Sequence, residues 1–147
     1  MEVAEALQRA LFAKLTADDG MRAAFGGDAP RVYDAVPPPL PSETDAAYQR
    51  RLRFPYVTIG DDEIIDDSTS CATAYEAAVT VHIWSRTVGR IEAKRIAGAV
   101  RDALDAALLL DGHVVTEHAH RSTRFVRDPD GVTTHAVVEL RYLIDPQ

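Results

Sequence analysis

Apolar residues recur along this chain at two periods, and the switches between them divide it into elements. Ala4, Leu7, Leu11 and Leu15 fall three or four apart, with Glu5, Gln8 and Lys14 elsewhere on the wheel, which predicts an amphipathic helix over residues 2–16. Thr16-Ala17-Asp18-Asp19-Gly20 breaks it. Asp18 or Asp19 can cap a second, short helix through Phe25, ended by Gly26-Gly27. Residues 31–36, RVYDAV, read as a short strand stopped by Pro37-Pro38-Pro39 and then Pro41, which lack backbone donors and favour an extended, solvated chain. Residues 37–53 are therefore expected to leave the body of the protein, with Ser42 or Thr44 starting one or two helical turns through Leu52.

Alternation at period two then takes over. FPYVTIG, residues 54–60, predicts a strand whose Pro55 belongs at its start or on an edge. DDEIIDDSTS reads as a solvated loop with Ile64 and Ile65 as apolar anchors. Over residues 73–84, Tyr75, Ala77, Val79, Val81 and Ile83 share one face, and Glu76, Thr80, His82 and Trp84 the other, as in a half-buried strand. A helix follows at about 88–108, with Ala93, Ile96, Ala97, Val100, Leu104, Ala107 and Leu108 as its buried stripe; Gly112 ends the segment. Residues 114–126 and 132–144 read as two strands joined by Arg127-Asp128-Pro129-Asp130-Gly131, a hairpin in which Pro presets φ and Gly supplies a positive one. On the last strand Val132, Thr134, Ala136, Val138, Leu140, Tyr142 and Ile144 share a face.

This order predicts an α+β fold: a mostly antiparallel sheet with an N-terminal helix and the long helix (about 88–108) packed on one face. Neither a repeat nor a domain boundary interrupts it, so residues 1–147 read as a single domain with an exposed proline-rich loop at 37–53. Composition agrees: 147 residues, 46% hydrophobic and 27% charged, suit one globular domain able to bury roughly 70% of its unfolded surface. Cys71 stands alone and can form no internal disulfide. No run approaches the roughly 20 apolar residues of a membrane span, and the N-terminus, acidic at Glu2 and helical in period, does not resemble a signal peptide. The expectation is a cytoplasmic protein with no membrane partner. The net charge of −7 argues against tightly held nucleic acid, because phosphate affinity comes from Lys and Arg.

Catalytic patterns are thin. His118 and His120 point the same way on a flat strand with His113 nearby, and Asp111 or Glu117 could be recruited, but a closed zinc site needs three or four ligands and neither HExxH nor a Cys pair is present. Ser68, Thr69, Ser70 and Ser122 lack a nucleophile-elbow context, and Gly26-Gly27 precedes no P-loop lysine. Asp61, Asp62, Asp66 and Asp67 could do acid–base work only against an apolar wall, whereas they lie in the most polar stretch. The expectation is no catalytic residue, no metal and no cofactor; a His-based metal-dependent hydrolase using His113, His118 and His120 is kept as an alternative.

What remains is the junction VHIWSRTVGRIEAKRIAGAV, residues 81–100. Arg86, Arg90, Lys94 and Arg101 could make a basic ridge, interrupted by Glu92, Asp102 and Asp105. It reads as a solvated helix face with pairs such as Arg101–Asp105, or as a basic surface meeting an acidic one on a second copy; Asp61, Asp62, Glu63, Asp66 and Asp67 would supply the latter. Trp and Arg are enriched where proteins meet, so Trp84 fits an interface, and it equally fits burial under the loop.

ALQRALFAKLTAD, RVYDAVPP, FPYVTIGDDE, VHIWSRTVGRIEAKRIAGAVRDALD, LDGHVV and RDPDGVTTHAVVELRYLI, in this order and at these spacings, resemble the tail terminator or tail completion proteins of long-tailed phages and gene transfer agents. Residues 38–53 depart from the pattern by lengthening one link. The resemblance implies a ring, usually hexameric, that caps the head-proximal end of the tail tube, ends tube growth and presents a surface to the head–neck connector. It implies no catalytic residues. Its partners would be further copies of itself, the tail tube protein and the connector or stopper protein, with DNA only passing through the lumen. A neck or head-closure adaptor is the alternative within assembly.

Overall fold

Glu2 opens the first helix: its carboxylate accepts the amide hydrogens of Ala4 and Glu5, and α1 runs Val3–Ala17. The coordinates are those of a computed structural model, which describes residues 1–147. Val3, Ala6, Leu7, Leu11 and Leu15 face the core; Ala4, counted in the apolar stripe above, is half-buried. Asp18 caps α2, Asp19–Ala24, by accepting the Met21 amide at 3.0 Å. Strand β1 is only Val32–Tyr33. The proline-rich segment then carries α3, Asp45–Leu52, capped by Thr44. It is tied back on itself by Arg51 to Glu43 at 2.9 Å and by the Tyr48 hydroxyl to the Pro37 carbonyl at 2.7 Å.

The remaining elements are β2 (Tyr56–Asp66), β3 (Tyr75–Ser85), α4 (Ile91–Leu104), β4 (Leu109–Leu110), β5 (His113–Arg127) and β6 (Thr134–Pro146). They complete a six-stranded sheet of order β1-β2-β3-β6-β5-β4, antiparallel except for the β1–β2 pair. The inward residues of the central strands, Val79, Val81 and Ile83 on β3 and Val138, Leu140, Tyr142 and Ile144 on β6, share one core with the buried stripes of α1 and α4. Tyr142 donates its hydroxyl to the Leu104 carbonyl at 2.9 Å, satisfying one of the carbonyls that the end of α4 leaves without an intrahelical partner.

Three expectations need correction. Residues 61–66 are strand, not loop: β3 continues the ladder as far as Asp66 opposite Tyr75, and a bulge between Ile59 and Asp62 absorbs the change of phase. The long helix spans 91–104, not 88–108, because Gly89 sits at φ 83° before it and Asp105 leaves helical geometry after it. Ala107 is consequently exposed, whereas Leu108 reaches the core from beyond the helix end. Val132, placed with the inward face of the last strand, lies in the preceding turn and is exposed.

Candidate functional site

The sheet has a helix-covered face and an open one, and two ends. On the open face His82 and Trp84 of β3 stand beside His135 of β6, because Trp84 is the register partner of His135. The Trp84 indole lies flat on the His135 ring, with centroids 3.9 Å apart and planes 7° apart, and its Nε1 donates to Thr58 Oγ1 at 3.3 Å. The rings of Tyr56 and Phe54 continue the array. His82 Nδ1 and His135 Nε2 share one hydrogen bond at 2.7 Å, so one ring donates and the other accepts. Gly60 lies beneath: a Cβ there would collide with the His82 ring.

Burial holds both imidazoles below the ordinary histidine value. Arg124 pushes each further down, and His82 does so for His135; Asp61 acts against the shift at His82 and Asp128 against it at His135. The unfolded chain therefore takes up protons that the folded one refuses as pH falls below the ordinary value of 6.5. Stability contributed by this pair is full above that value and is lost on acidification. We expect Tm to fall by a few degrees between about pH 7.5 and about pH 5, and a His82→Phe/His135→Phe protein to lose most of that dependence in thermal denaturation at the two pH values.

Arg86 is committed within the chain. Its guanidinium sits 4.4 Å from the Phe54 ring centroid, donates to Thr133 Oγ1 at 3.1 Å and lies 3.7 Å from Asp130. Asp130 itself is pushed down to about 2, first by the Thr133 hydroxyl, then by the amide hydrogens of Thr133 and Val132, with Arg86 adding to them. Trp84 and Arg86 together fasten the β3–α4 junction to the β5–β6 hairpin and to the start of β2.

The other three basic candidates, Arg90, Lys94 and Arg101, are free of ion pairs. Arg90 is the residue before α4 and makes no capping hydrogen bond; Lys94 lies 5.4 Å from the Phe125 ring centroid; Arg101 is exposed. The expected Arg101–Asp105 pair does not form, because Asp105 instead bonds His118 Nδ1 at 3.0 Å. Asp61, Asp62, Glu63, Asp66 and Asp67 are all exposed and none joins a salt bridge; the Asp66 carboxylate accepts the Ser68 amide.

Strand pairing fixes where these groups lie. Trp84 opposite Tyr56 and Ser85 opposite Thr134 mark one end of the sheet, from which α4 departs with Arg90 and Lys94. Asp66 opposite Tyr75 and Tyr75 opposite Ile144 mark the other end, which carries the acidic tip of β2. Arg90 and Lys94 thus sit toward one end of the molecule and Asp66 and Asp67 at the other, while Asp61 and Asp62 lie mid-strand at the bulge opposite Val79 and Arg101 lies in the last turn of α4, away from Arg90. The three strand histidines diverge: His113 turns to the Asp111 carbonyl, His118 to Asp105 and His120 to Thr123, and no group of three or more His, Cys, Asp or Glu side chains is placed to hold a metal ion. The His82–His135–Trp84 array was not foreseen from sequence. Its only signal there was the shared parity of residues 82 and 84.

A family model described as tail completion protein gp17 matches residues 9–145. The tail completion protein gp17 of Bacillus phage SPP1 is 29% identical over 93 residues, 63% of this chain and 69% of that one. Among solved structures, a chain from the virion of a native gene transfer agent particle superposes with a TM-score of 0.78 at 26% identity, covering 97% of both chains. The structure of bacteriophage SPP1 gp17 protein gives a TM-score of 0.53 at 23% identity, over 96% of this chain and 91% of that one, a likeness of fold.

Proposed function

Because the chain belongs to the tail completion protein gp17 family and is a structural protein of the phage-tail type, we propose that it forms a ring, hexameric in the particle, that caps the head-proximal end of a tail tube. The ring stops tube growth and offers its other side to the head–neck connector or stopper protein. It needs no cofactor and carries out no catalysis. Assembly takes place in the cytoplasm, and the finished ring stays in the particle at the tail–neck junction.

The observation that carries this reading is the polarity of the molecule. Arg90 and Lys94 lie at one end and Asp66 and Asp67 at the other, with Asp61, Asp62 and Glu63 on the strand that leads to it and none of the seven in an ion pair. A cluster of like charges on one strand tip repels itself, and a partner of opposite sign relieves it. Complementary patches on different parts of one chain favour heterologous contacts, which close into a ring when the rotation permits. Arg101 extends the basic face of α4, and Trp84 and Arg86 hold the start of that helix in place for the neighbour. Acidic residues left facing the lumen let DNA pass, because they offer phosphates no counter-charge.

Electron microscopy of particles lacking this protein tests the reading. Overlong tails are expected. Normal-length tails without heads would make it a neck adaptor instead.

A further inference from the structure

We infer that the free edge of β5 in one copy of this chain pairs with the free edge of β2 in the next, joining the two sheets into one antiparallel ladder; the inference rests on the ring reading and names the contact that closes the ring. Both edges are largely uncovered. Strand β1 pairs with β2 only at Val57 and Thr58, so β2 is open from Gly60 to Asp66. Strand β4 pairs with β5 only at His113 and Val114, so β5 is open from Thr116 to Arg127. Each edge presents backbone amides and carbonyls without a sheet partner, a ready template for another strand.

Charge selects the occupant. From Gly60 to Asp67 the chain carries five carboxylates and no base; from His118 to Arg127 it carries Arg121, Arg124 and Arg127 and no acid. All three arginines are exposed. Arg121 and Arg127 join no ion pair, and Arg124 meets Glu139 only at 3.6 Å, with both side chains largely solvated. Two β5 edges would set arginine against arginine, and two β2 edges carboxylate against carboxylate; like charges directly opposite destabilise a ladder. Only the mixed pair attracts, which makes the contact heterologous. Strand direction agrees. β2, β3, β6 and β5 alternate in sense, so the outer two run opposite ways. A rotation about an axis along the strands preserves each sense and brings β5 antiparallel to the β2 of the next copy.

The strand ends and the charges give one register. Arg127, where β5 stops, stands opposite Gly60 of the next copy, just past the residues its β1 covers. Arg124 then faces Glu63, and Arg121, at the β5 bulge, faces Asp66. The stretch between, Ser122 to Phe125 against 62–65, is free of bulges on both strands. Faces match as well. Arg124 lies opposite Val137, and Val137 opposite His82, which puts it on the open face; Glu63 lies opposite Ala78, in phase with His82 on that same face. On the helix-covered face Asp62 of the next copy comes opposite Phe125, whose ring centroid is 5.4 Å from Lys94 Nζ, so the same joint offers a carboxylate to the basic start of α4. Within one chain Phe125 is level with Ile83, and Asp62 with Val79, so the joint steps each copy by four residues. Four residues at roughly 3.3 Å, over four strands at roughly 4.8 Å, tilt the strands by about 35°, which meets the roughly 35–45° of closed sheets.

The test is a cysteine pair, Glu63→Cys with Arg124→Cys, in a Cys71→Ser background. All three positions are exposed, so folding is not at risk. Strands β3 and β6 lie between the two cysteines, which keeps them at least about 14 Å apart within one chain, too far to bridge. Concentrated protein and assembled particles are oxidised and run without reductant. A ladder of covalently linked copies is expected from the pair, and nothing beyond a dimer from either single cysteine. Absence of a ladder in both samples, or linkage only to a different protein, would overturn the pairing. Charge exchange provides a second reading. Glu63→Arg and Arg124→Glu should each weaken self-association about tenfold or more, and the protein carrying both should recover most of it. Single variants that associate as the parent does, or a double variant no better than either single, would remove the pairing. Tail length is scored separately. Overlong tails on deletion with no ladder would sink this contact and spare the terminator role; a ladder with normal-length tails would do the reverse.

Discussion

Glutamate in place of both Arg90 and Lys94 is expected to leave a folded monomer that no longer closes into a ring. Stability and assembly should respond differently, and that separates this substitution from a simple folding defect. Arg90 and Lys94 lie within the first turn and its approach, where a negative charge gains from the helix dipole by about 0.3–1 kcal/mol each at an exposed site. Against that gain stands the loss of the Lys94 contact with the Phe125 ring, worth about 0.5–1 kcal/mol at an exposed site. Tm should therefore stay within a degree or two of the parent. At a contact with the acidic end of a neighbour, however, the reversal turns attraction into like-charge opposition, which costs several kcal/mol. Sedimentation or light scattering should show loss of the oligomer, and particles carrying the variant should have overlong tails. An unchanged mass with unchanged tails would exclude the start of α4 as a charged contact. Raising the salt concentration should weaken assembly of the parent in the same direction, because both patches are exposed and are screened within about 8–10 Å.

The sheet could be read from the chain wherever two conditions held: one face buried, and the phase unbroken. Both hold for β3 and for β6 from Thr134 onward, whose alternation gave the correct inward residues. Both fail for the tip of β2. Ile64 and Ile65 are adjacent, so they point to opposite faces, and the bulge after Ile59 resets the count among acidic residues that look like a loop. Helix α4 was overextended for a related reason. Val88 and Leu108 lie in step with the buried stripe, but Gly89 and Asp105 stop the hydrogen-bond ladder, and no periodicity argument weighs those two residues against the pattern. Thr44, by contrast, announced α3 through the capping role its hydroxyl performs.

The candidate surfaces were legible as charges and not as geometry. Sequence supplied the list of acidic and basic residues; only the strand register places Asp66 and Asp67 at the end of the sheet away from Arg90 and Lys94. The strand order creates the histidine pair. His82 and His135 are 53 positions apart, and the adjacent β5–β6 hairpin gives no hint that β6 also pairs with β3. Arg86 shows the reverse situation. It looked available for a partner, yet Phe54, Asp130 and Thr133, from two distant segments, already occupy it.

Trp84→Ala is expected to cost about 2–3 kcal/mol, somewhat below the 3–5 typical of a fully buried Trp because the indole is only half-buried. The loss has three parts: the flat stack on His135, the contact with Tyr56, and the Nε1 bond to Thr58. It also strips cover from the His82–His135 hydrogen bond, so water competes for it. Trp84→Phe retains most of the ring contact and loses only the bond, so it should recover more than half of the stability. Urea denaturation of the three proteins gives the comparison, with the m-value expected to hold constant. Assembly is then measured at a temperature where Trp84→Ala remains folded. If Trp84 acts by fixing the β3–α4 junction, the folded variant assembles weakly in proportion to its loosened helix start, and Trp84→Phe assembles nearly as the parent does. A stability change below about 0.5 kcal/mol, the range of an ordinary surface substitution, combined with complete loss of the ring, would instead make the indole a direct contact with the next subunit.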